Sequence, residues 1–208
     1  MPIHQSLTDF QTNAGQCDSL IANAHRKDAA GNALFQPRDR EQITVAAFLN
    51  LFIAWEEFIE TAICDFMMGE STLSGGVPTR YVNPVDRVHS GKIVLHTLRY
   101  FDYANHDNVR RVAKIYFDAG YPFDAILSGI NSDLIDLKTI RNSCAHISST
   151  TRVALEGLAT RIFGLPKPGI SVYEFLLSND PRIAGNNTTV YASYRDKLLA
   201  AAGLIASG

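Results

Sequence analysis

Three side chains near the middle of the chain have the types that phosphate chemistry requires. They are Arg141, Asn142 and His146, within the run at residues 137–146. A guanidinium can bind two phosphate oxygens at once, and an imidazole can take or give a proton near neutral pH. An amide can hold a phosphate oxygen or fix the histidine tautomer. Together these groups are sufficient to cleave a phosphodiester bond without a metal ion.

A helix must position these side chains. Apolar residues recur at helical spacing before and through the run, at Ile130, Leu134, Leu137, Ile140 and Cys144. We predict a helix from about residue 132, capped by one of residues 131–133. On an ideal helix, Arg141 and His146 would lie about 140° apart. One straight helix therefore does not direct both at one phosphate. Either the helix ends or loosens at residues 144–146, or a second subunit completes the site.

The pattern Arg-Asn-x-x-Ala-His at residues 141–146 resembles the R-x4-6-H motif of the HEPN superfamily. A long helix with aromatic residues and glutamates precedes it, as in several HEPN families. The resemblance implies an antiparallel helical bundle and a metal-independent endoribonuclease, with RNA as substrate and Arg141 and His146 as catalytic residues. It also implies a homodimer, in which the two motifs face each other across a two-fold interface and form one composite cleft.

The resemblance further implies a mechanism and a biological setting. A 2′-hydroxyl of RNA would attack the neighbouring phosphorus, with His146 as general base or acid and Arg141 stabilising the phosphate charge. Asn142 would hold a phosphate oxygen or fix the tautomer of His146. We expect a bacterial toxin, defence or stress system, with an antitoxin or another protein as partner. Other HEPN proteins have lost catalysis and serve as binding or scaffold domains.

A supporting role is also open to a glutamate on the long preceding helix. This helix is predicted over about residues 40–68, with an Asp39–Gln42 capping box and an end before Gly69. Three glutamates interrupt its wide apolar face, at positions 56, 57 and 60. They either form a solvated stripe, or one of them, Glu57, points into the cleft and orients Arg141.

The remaining periodic segments are helical too, so the predicted fold class is all-α. The expected helices cover about residues 7–25, 86–103, 107–119, 151–163, 172–177 and 189–206. The polar run at residues 148–151 supplies the cap of the helix that Gly164 closes. We expect a single HEPN-like domain over residues 1–208, with a core at about 39–163 and extra C-terminal helices at about 170–206.

The composition indicates which cofactors and which cellular compartment to expect. The chain has 208 residues, of which 46% are hydrophobic, and three widely separated cysteines without a C-x-x-C pair. This pattern indicates neither a disulfide framework nor a zinc site, so we expect no metal and no cofactor. The polar start lacks a secretory signal, and the apolar runs at residues 45–55 are short for a bilayer. A soluble cytoplasmic protein without membrane contact is the expectation.

The charge is distributed unevenly along the chain. The net charge is −2, but residues 80–167 contain 12 basic and 8 acidic residues, whereas residues 1–79 contain 4 and 10. The positive excess thus falls in the segment that carries Arg141 and His146. It suits an anionic substrate, although solvated helices show similar swings.

Structural explanations of the same residues stay open. Arg141 could pair with Asp133 or Asp136, and His146 could cap the helix C-terminus, where a cation is favourable. The protein would then be a non-catalytic module that binds RNA, nucleotide or a protein partner, or a plain scaffold. Three other pairs are weaker candidates for chemistry: His89 with His96, His106 with Asp107, and Cys144 with His146.

Overall fold

The architecture is entirely helical, as the sequence predicts. A computed structural model describes residues 2–96, 98–146, 148–183 and 187–208. Helices make up 68% of the described residues, and no strand is present among them. Nine α-helices occur in them: α1 (Ile3–Ala24), α2 (Pro37–Met67), α3 (Arg87–Leu95), α4 (His106–Tyr116), α5 (Phe123–Gly129), α6 (Asn131–Ala145), α7 (Ser149–Phe163), α8 (Val172–Leu177) and α9 (Val190–Ser207). A 3-10 turn at Asp118–Gly120 separates α4 from α5.

The chain divides into two compact units. The first comprises Met1–Thr12, Ala54–Leu134 and Lys197–Gly208. The second comprises Asn13–Ile53 and Ile135–Asp196. The divisions fall inside α1, α2, α6 and α9, so α3, α4 and α5 belong wholly to the first unit and α7 and α8 to the second. The expected single domain stays a prediction.

The first unit has an aromatic core and one deeply buried carboxylate. Its ring contacts join Phe10 to Trp55 and Phe58, and Phe123 to Phe66 and Phe117. Asp65, only 1% exposed, accepts a hydrogen bond from Ser6 Oγ (2.8 Å) and forms an ion pair with Arg87. These partners compensate the loss of water that burial imposes on the charge.

The second unit contains a comparable buried carboxylate on α6. Asp136 accepts a hydrogen bond from the hydroxyl of the fully buried Tyr194 (2.8 Å) and forms an ion pair with Arg161. Leu137 and Ile140, on the same helix, are completely buried. The predicted apolar face of the motif helix is therefore confirmed for this unit.

Several helix boundaries differ from the prediction for local reasons. The long helix α2 begins at Pro37 rather than after Asp39, because proline suits the first helical position, where no amide donor is needed. Asp39 consequently lies in its first turn and is not its cap. The short helix α5 was not predicted.

The predicted helix over residues 86–103 is also too long. Asp86 caps α3, which agrees with the predicted start of the helix. The helix ends at Leu95, however, and His96 has a φ of 51°. Further on, the Asn105 side chain accepts a hydrogen bond from the Asn108 amide and caps α4. A capping residue has non-helical backbone, so α3 and α4 are separate helices, as predicted. Two residues that the prediction placed inward, Val88 and Leu98, are exposed.

Helix α2 is longer and more uniformly apolar than the two short runs seen in the sequence. Among the described residues, it alone has the length and composition of a membrane-spanning helix, with a mean hydropathy of 1.3. Half of that stretch is buried inside the protein. Core helices of soluble proteins share these properties, so they are weak evidence for a membrane span.

Candidate functional site

The motif helix α6 carries Arg141 at the border of its buried face. Ile140 is fully buried, and Arg141, the next residue, is half-buried together with Asn142. The helix ends at Ala145, and His146 follows immediately as an exposed residue. All three predicted motif side chains therefore lie in the second unit, within the last two turns of α6 and just beyond it.

The Arg141 guanidinium forms no ion pair with a residue that the structure describes. Its one hydrogen bond in the described part of the chain is a long one from Nη1 to Asn142 Oδ1 (3.4 Å). The two acids suggested as partners are engaged elsewhere: Asp136 with Arg161, and Asp133 with Lys197 Nζ (2.6 Å). In the described part of the chain, Arg141 therefore forms no ion pair with either of the two suggested acids.

His146 has a fixed backbone and an exposed side chain. Its amide donates to the Asn142 carbonyl (2.9 Å), and its carbonyl accepts a hydrogen bond from Thr151 Oγ1 (2.6 Å). Its imidazole forms no hydrogen bond to any described residue, so capping of α6 by the imidazole is not observed. An imidazole anchored in this way can exchange protons with a bound substrate or with water.

The junction between α6 and α7 is held by hydroxyl groups. Ser148 and Thr151 form a reciprocal capping box at the start of α7, which confirms the cap expected from the polar run. Ser143 Oγ lies 2.9 Å from the Thr139 carbonyl and 3.2 Å from the Thr151 carbonyl. Thr151 and Ser143 position the motif, although sequence reasoning assigned no role to either. The cluster of four hydroxyl residues at 148–151 was the available signal.

The relative direction of Arg141 and His146 follows from the backbone. The hydrogen bond from the His146 amide to the Asn142 carbonyl spans four residues, so the helical register continues to His146. On an ideal helix, this spacing directs the two side chains about 140° apart. No hydrogen bond joins them in the described part of the chain. Completion of the site by a second subunit stays a prediction.

Cys144 does not have the properties of a nucleophile. It is half-buried, and this burial raises the pKa of its thiol to about 12, although the nearby Arg141 charge acts in the opposite direction. At neutral pH almost no thiolate is present, and the thiolate is the reactive form. The weak suggestion of a Cys144–His146 pair therefore has no chemical support.

Glu57 lies on α2 in the first unit, and its side chain is exposed. Burial of the neighbouring Glu60, and then the Glu57 charge, raise the pKa of Glu60, whereas Arg87 acts to lower it. This acidic pair is thus close enough to interact electrostatically. The suggested role of Glu57 in orienting Arg141 stays a prediction.

Three other histidines, at positions 89, 96 and 106, were weaker candidates for chemistry. His89 Nδ1 accepts a hydrogen bond from the Val85 amide (3.2 Å), and His96 ends α3. His106 is buried and stands 3.8 Å from Asp107 through Nε2. In the ranges that the structure describes, no group of three or more His, Cys, Asp or Glu residues could hold a metal ion.

Comparison with known proteins adds no relative. No family model matches the chain, and neither a curated protein nor a solved structure matches it. The resemblance to the HEPN superfamily therefore stays a prediction, based on the six residues of the motif and on the aromatic helix with glutamates that precedes it.

Proposed function

We propose that this protein is a metal-independent endoribonuclease that uses Arg141 and His146. The observation that carries the proposal is the state of these two side chains. A half-buried guanidinium without a carboxylate partner and an exposed imidazole with an anchored backbone lie at one end of α6. Among the residues that the structure describes, neither side chain forms an ion pair.

The proposed reaction is an attack by a ribose 2′-hydroxyl on the adjacent phosphorus. His146 removes the hydroxyl proton or protonates the leaving 5′-oxygen, and Arg141 stabilises the charge that builds on the phosphate oxygens. Asn142, within reach of the Arg141 guanidinium, holds this group or a phosphate oxygen. The products are a 2′,3′-cyclic phosphate and a 5′-hydroxyl, and DNA, which lacks the 2′-hydroxyl, is not cleaved.

A homodimer forms part of the proposal. Because five residues of an ideal helix separate Arg141 and His146 by about 140°, one copy of the helix would not place both on the same phosphate. Two copies related by a two-fold axis would let Arg141 of one subunit act with His146 of the other. Activity per subunit should therefore fall when the protein is diluted below its dimer dissociation constant.

The test is incubation of purified protein with structured and unstructured RNA in excess EDTA. The parent should cleave, and His146→Ala and Arg141→Ala should each lose cleavage by a factor of about 10² or more. Arg26→Gln removes an exposed arginine outside the motif and should cleave like the parent.

Each alternative result has a defined meaning. Equal background in the parent and both motif variants would reject catalysis on these substrates. Retained RNA binding that the Arg141→Ala variant loses would then identify a non-catalytic binding module. Cleavage by a strictly monomeric protein would reject the composite site while keeping the nuclease.

A further inference from the structure

The second unit contains a cavity of about 630 Å³ that the proposed function does not use. Its walls come from the start of α2, the end of α6, the first turns of α7 and the segment at residues 169–172. A volume of several hundred Å³ is typical of sites that hold small organic molecules. All of the lining residues belong to one unit, so the cavity is a property of that unit alone.

The floor of the cavity is apolar. It is lined by Val45 and Leu49 of α2, by Leu155 of α7 and by Ile170. Leu155 is buried, whereas the other three are only half-buried, so apolar surface remains open toward the cavity. Covering such surface with the hydrocarbon body of a ligand is favourable by about 25 cal/mol per Å².

The rim of the cavity carries an excess of positive charge. Arg38 and Arg152 line it, and neither guanidinium takes part in an ion pair or hydrogen bond within the described ranges. Glu41 is the one acidic residue of the lining. The charged lining therefore sums to a single positive charge, which one negative charge on a ligand would balance.

We propose that this cavity binds a small organic monoanion with an aliphatic body, namely a medium-chain carboxylate. The carboxylate would lie between Arg38 and Arg152, since a guanidinium matches the geometry of a carboxylate. The hydrocarbon chain would cover Val45, Leu49 and Ile170.

The site is separate from the proposed phosphate chemistry. Ser143 and Cys144 of the motif helix line the cavity, but Arg141 and His146 do not. Binding here needs neither RNA nor a second subunit. Failure of the nuclease proposal would therefore leave this inference intact, and the reverse is also true.

Calorimetric titration with sodium decanoate, below its micelle concentration, tests the proposal. We expect one saturable site per chain and at least tenfold weaker binding of decylammonium, which has the same chain length and the opposite charge. Arg38→Gln and Arg152→Gln should each weaken decanoate binding about threefold to tenfold, the range for partly exposed charge pairs. Ala46→Trp, at an exposed wall position, should fill the cavity and abolish binding.

Arg26→Gln is the matched control, because Arg26 is an exposed arginine of the same unit outside the lining. It should bind decanoate like the parent. Absence of decanoate binding, equal binding of decylammonium, or unchanged affinity in both arginine variants would overturn the proposal. The arginine variants alter exposed side chains and should therefore fold. They test the binding proposal even if Ala46→Trp does not fold.

Discussion

Replacing Asp136 by alanine should destabilise the protein, and Arg141 should have no part in this loss of stability. In the structure, Asp136 accepts the hydrogen bond of the Tyr194 hydroxyl (2.8 Å) and pairs with Arg161. The fully buried Tyr194 hydroxyl would lose this acceptor, which costs about 1–3 kcal/mol. The Arg161 side chain is 55% exposed, so solvent screening limits its share to about 0–1 kcal/mol.

The better helix propensity of alanine offsets part of this loss, by about 0.5 kcal/mol. We therefore expect a net decrease of about 2 kcal/mol in the free energy of unfolding. For a chain of this size that corresponds to a melting temperature lower by about 4–8 °C. Urea denaturation followed by circular dichroism measures the first quantity, and a thermal scan the second. Tyr194→Phe is the matched control, because it removes the same hydrogen bond and keeps the Asp136–Arg161 pair.

A double-mutant cycle then separates the two arginines. Asp136→Ala should couple energetically to Arg161→Gln and should be additive with Arg141→Gln within about 0.3–0.5 kcal/mol. Arg141→Gln alone should change the free energy of unfolding by less than about 0.5 kcal/mol, because its one described partner is a weak contact. Coupling between Asp136 and Arg141 would refute the argument that the Arg141 charge is free for substrate.

Three further predictions concern the same unit. Alkylation of Cys144 by iodoacetamide at pH 8 should be about 10³-fold slower in the folded protein than in the unfolded protein, because a thiol with a pKa of about 12 is hardly ionised. Mass spectrometry measures both rates, and equal rates would contradict this prediction. Ser148→Ala should cost about 1 kcal/mol and lower the melting temperature by about 2–4 °C, whereas Ser149→Ala, beside the cap, should have little effect. Burial acts to raise the pKa of Asp180, but two hydrogen bonds from Arg182 (2.8 and 2.7 Å) outweigh it and hold this pKa below its ordinary value. The contribution of Asp180 to stability is therefore complete above pH 5 and is lost as the pH falls through the lowered pKa. In Asp180→Asn, the free energy of unfolding should consequently decrease less between pH 7 and pH 2.5 than in the parent, as measured by urea denaturation.

The helices with a strong local signal could be predicted from the sequence. The apolar spacing of Leu137 and Ile140 located the buried face of α6, and both are completely buried. The hydroxyl run that starts at Ser148 located the cap of α7, and Gly164 ends this helix in the left-handed conformation. In these places the residues that define the element are neighbours in sequence, so spacing alone is informative.

The extent of α3 and the cavity could not be predicted, for two different reasons. Residues 98–103 are compatible with a helix locally, but the capping role of Asn105 depends on where α4 begins. The cavity brings Arg38 together with Arg152, which are more than a hundred residues apart in the chain. Such proximity arises from the arrangement of helices, which periodicity does not specify.

Part of the candidate site could be predicted from the sequence. Residue types identified Arg141 and His146, and helical spacing indicated that they diverge. The sequence did not show that Asp133 and Asp136 are occupied by Lys197 and Arg161, because those contacts join distant segments. With both acids paired in this way, Arg141 forms no ion pair with a residue that the structure describes.

The central claim is that RNA is cleaved through its own 2′-hydroxyl with Arg141 and His146 as the acting groups. The most direct measurement maps one cleaved bond in EDTA and then replaces the nucleotide on its 5′ side by a 2′-deoxynucleotide. We expect cleavage at that bond to stop and the all-RNA fragment to end in a 2′,3′-cyclic phosphate. Continued cleavage at the deoxy position, or unchanged cleavage by His146→Ala, would contradict it.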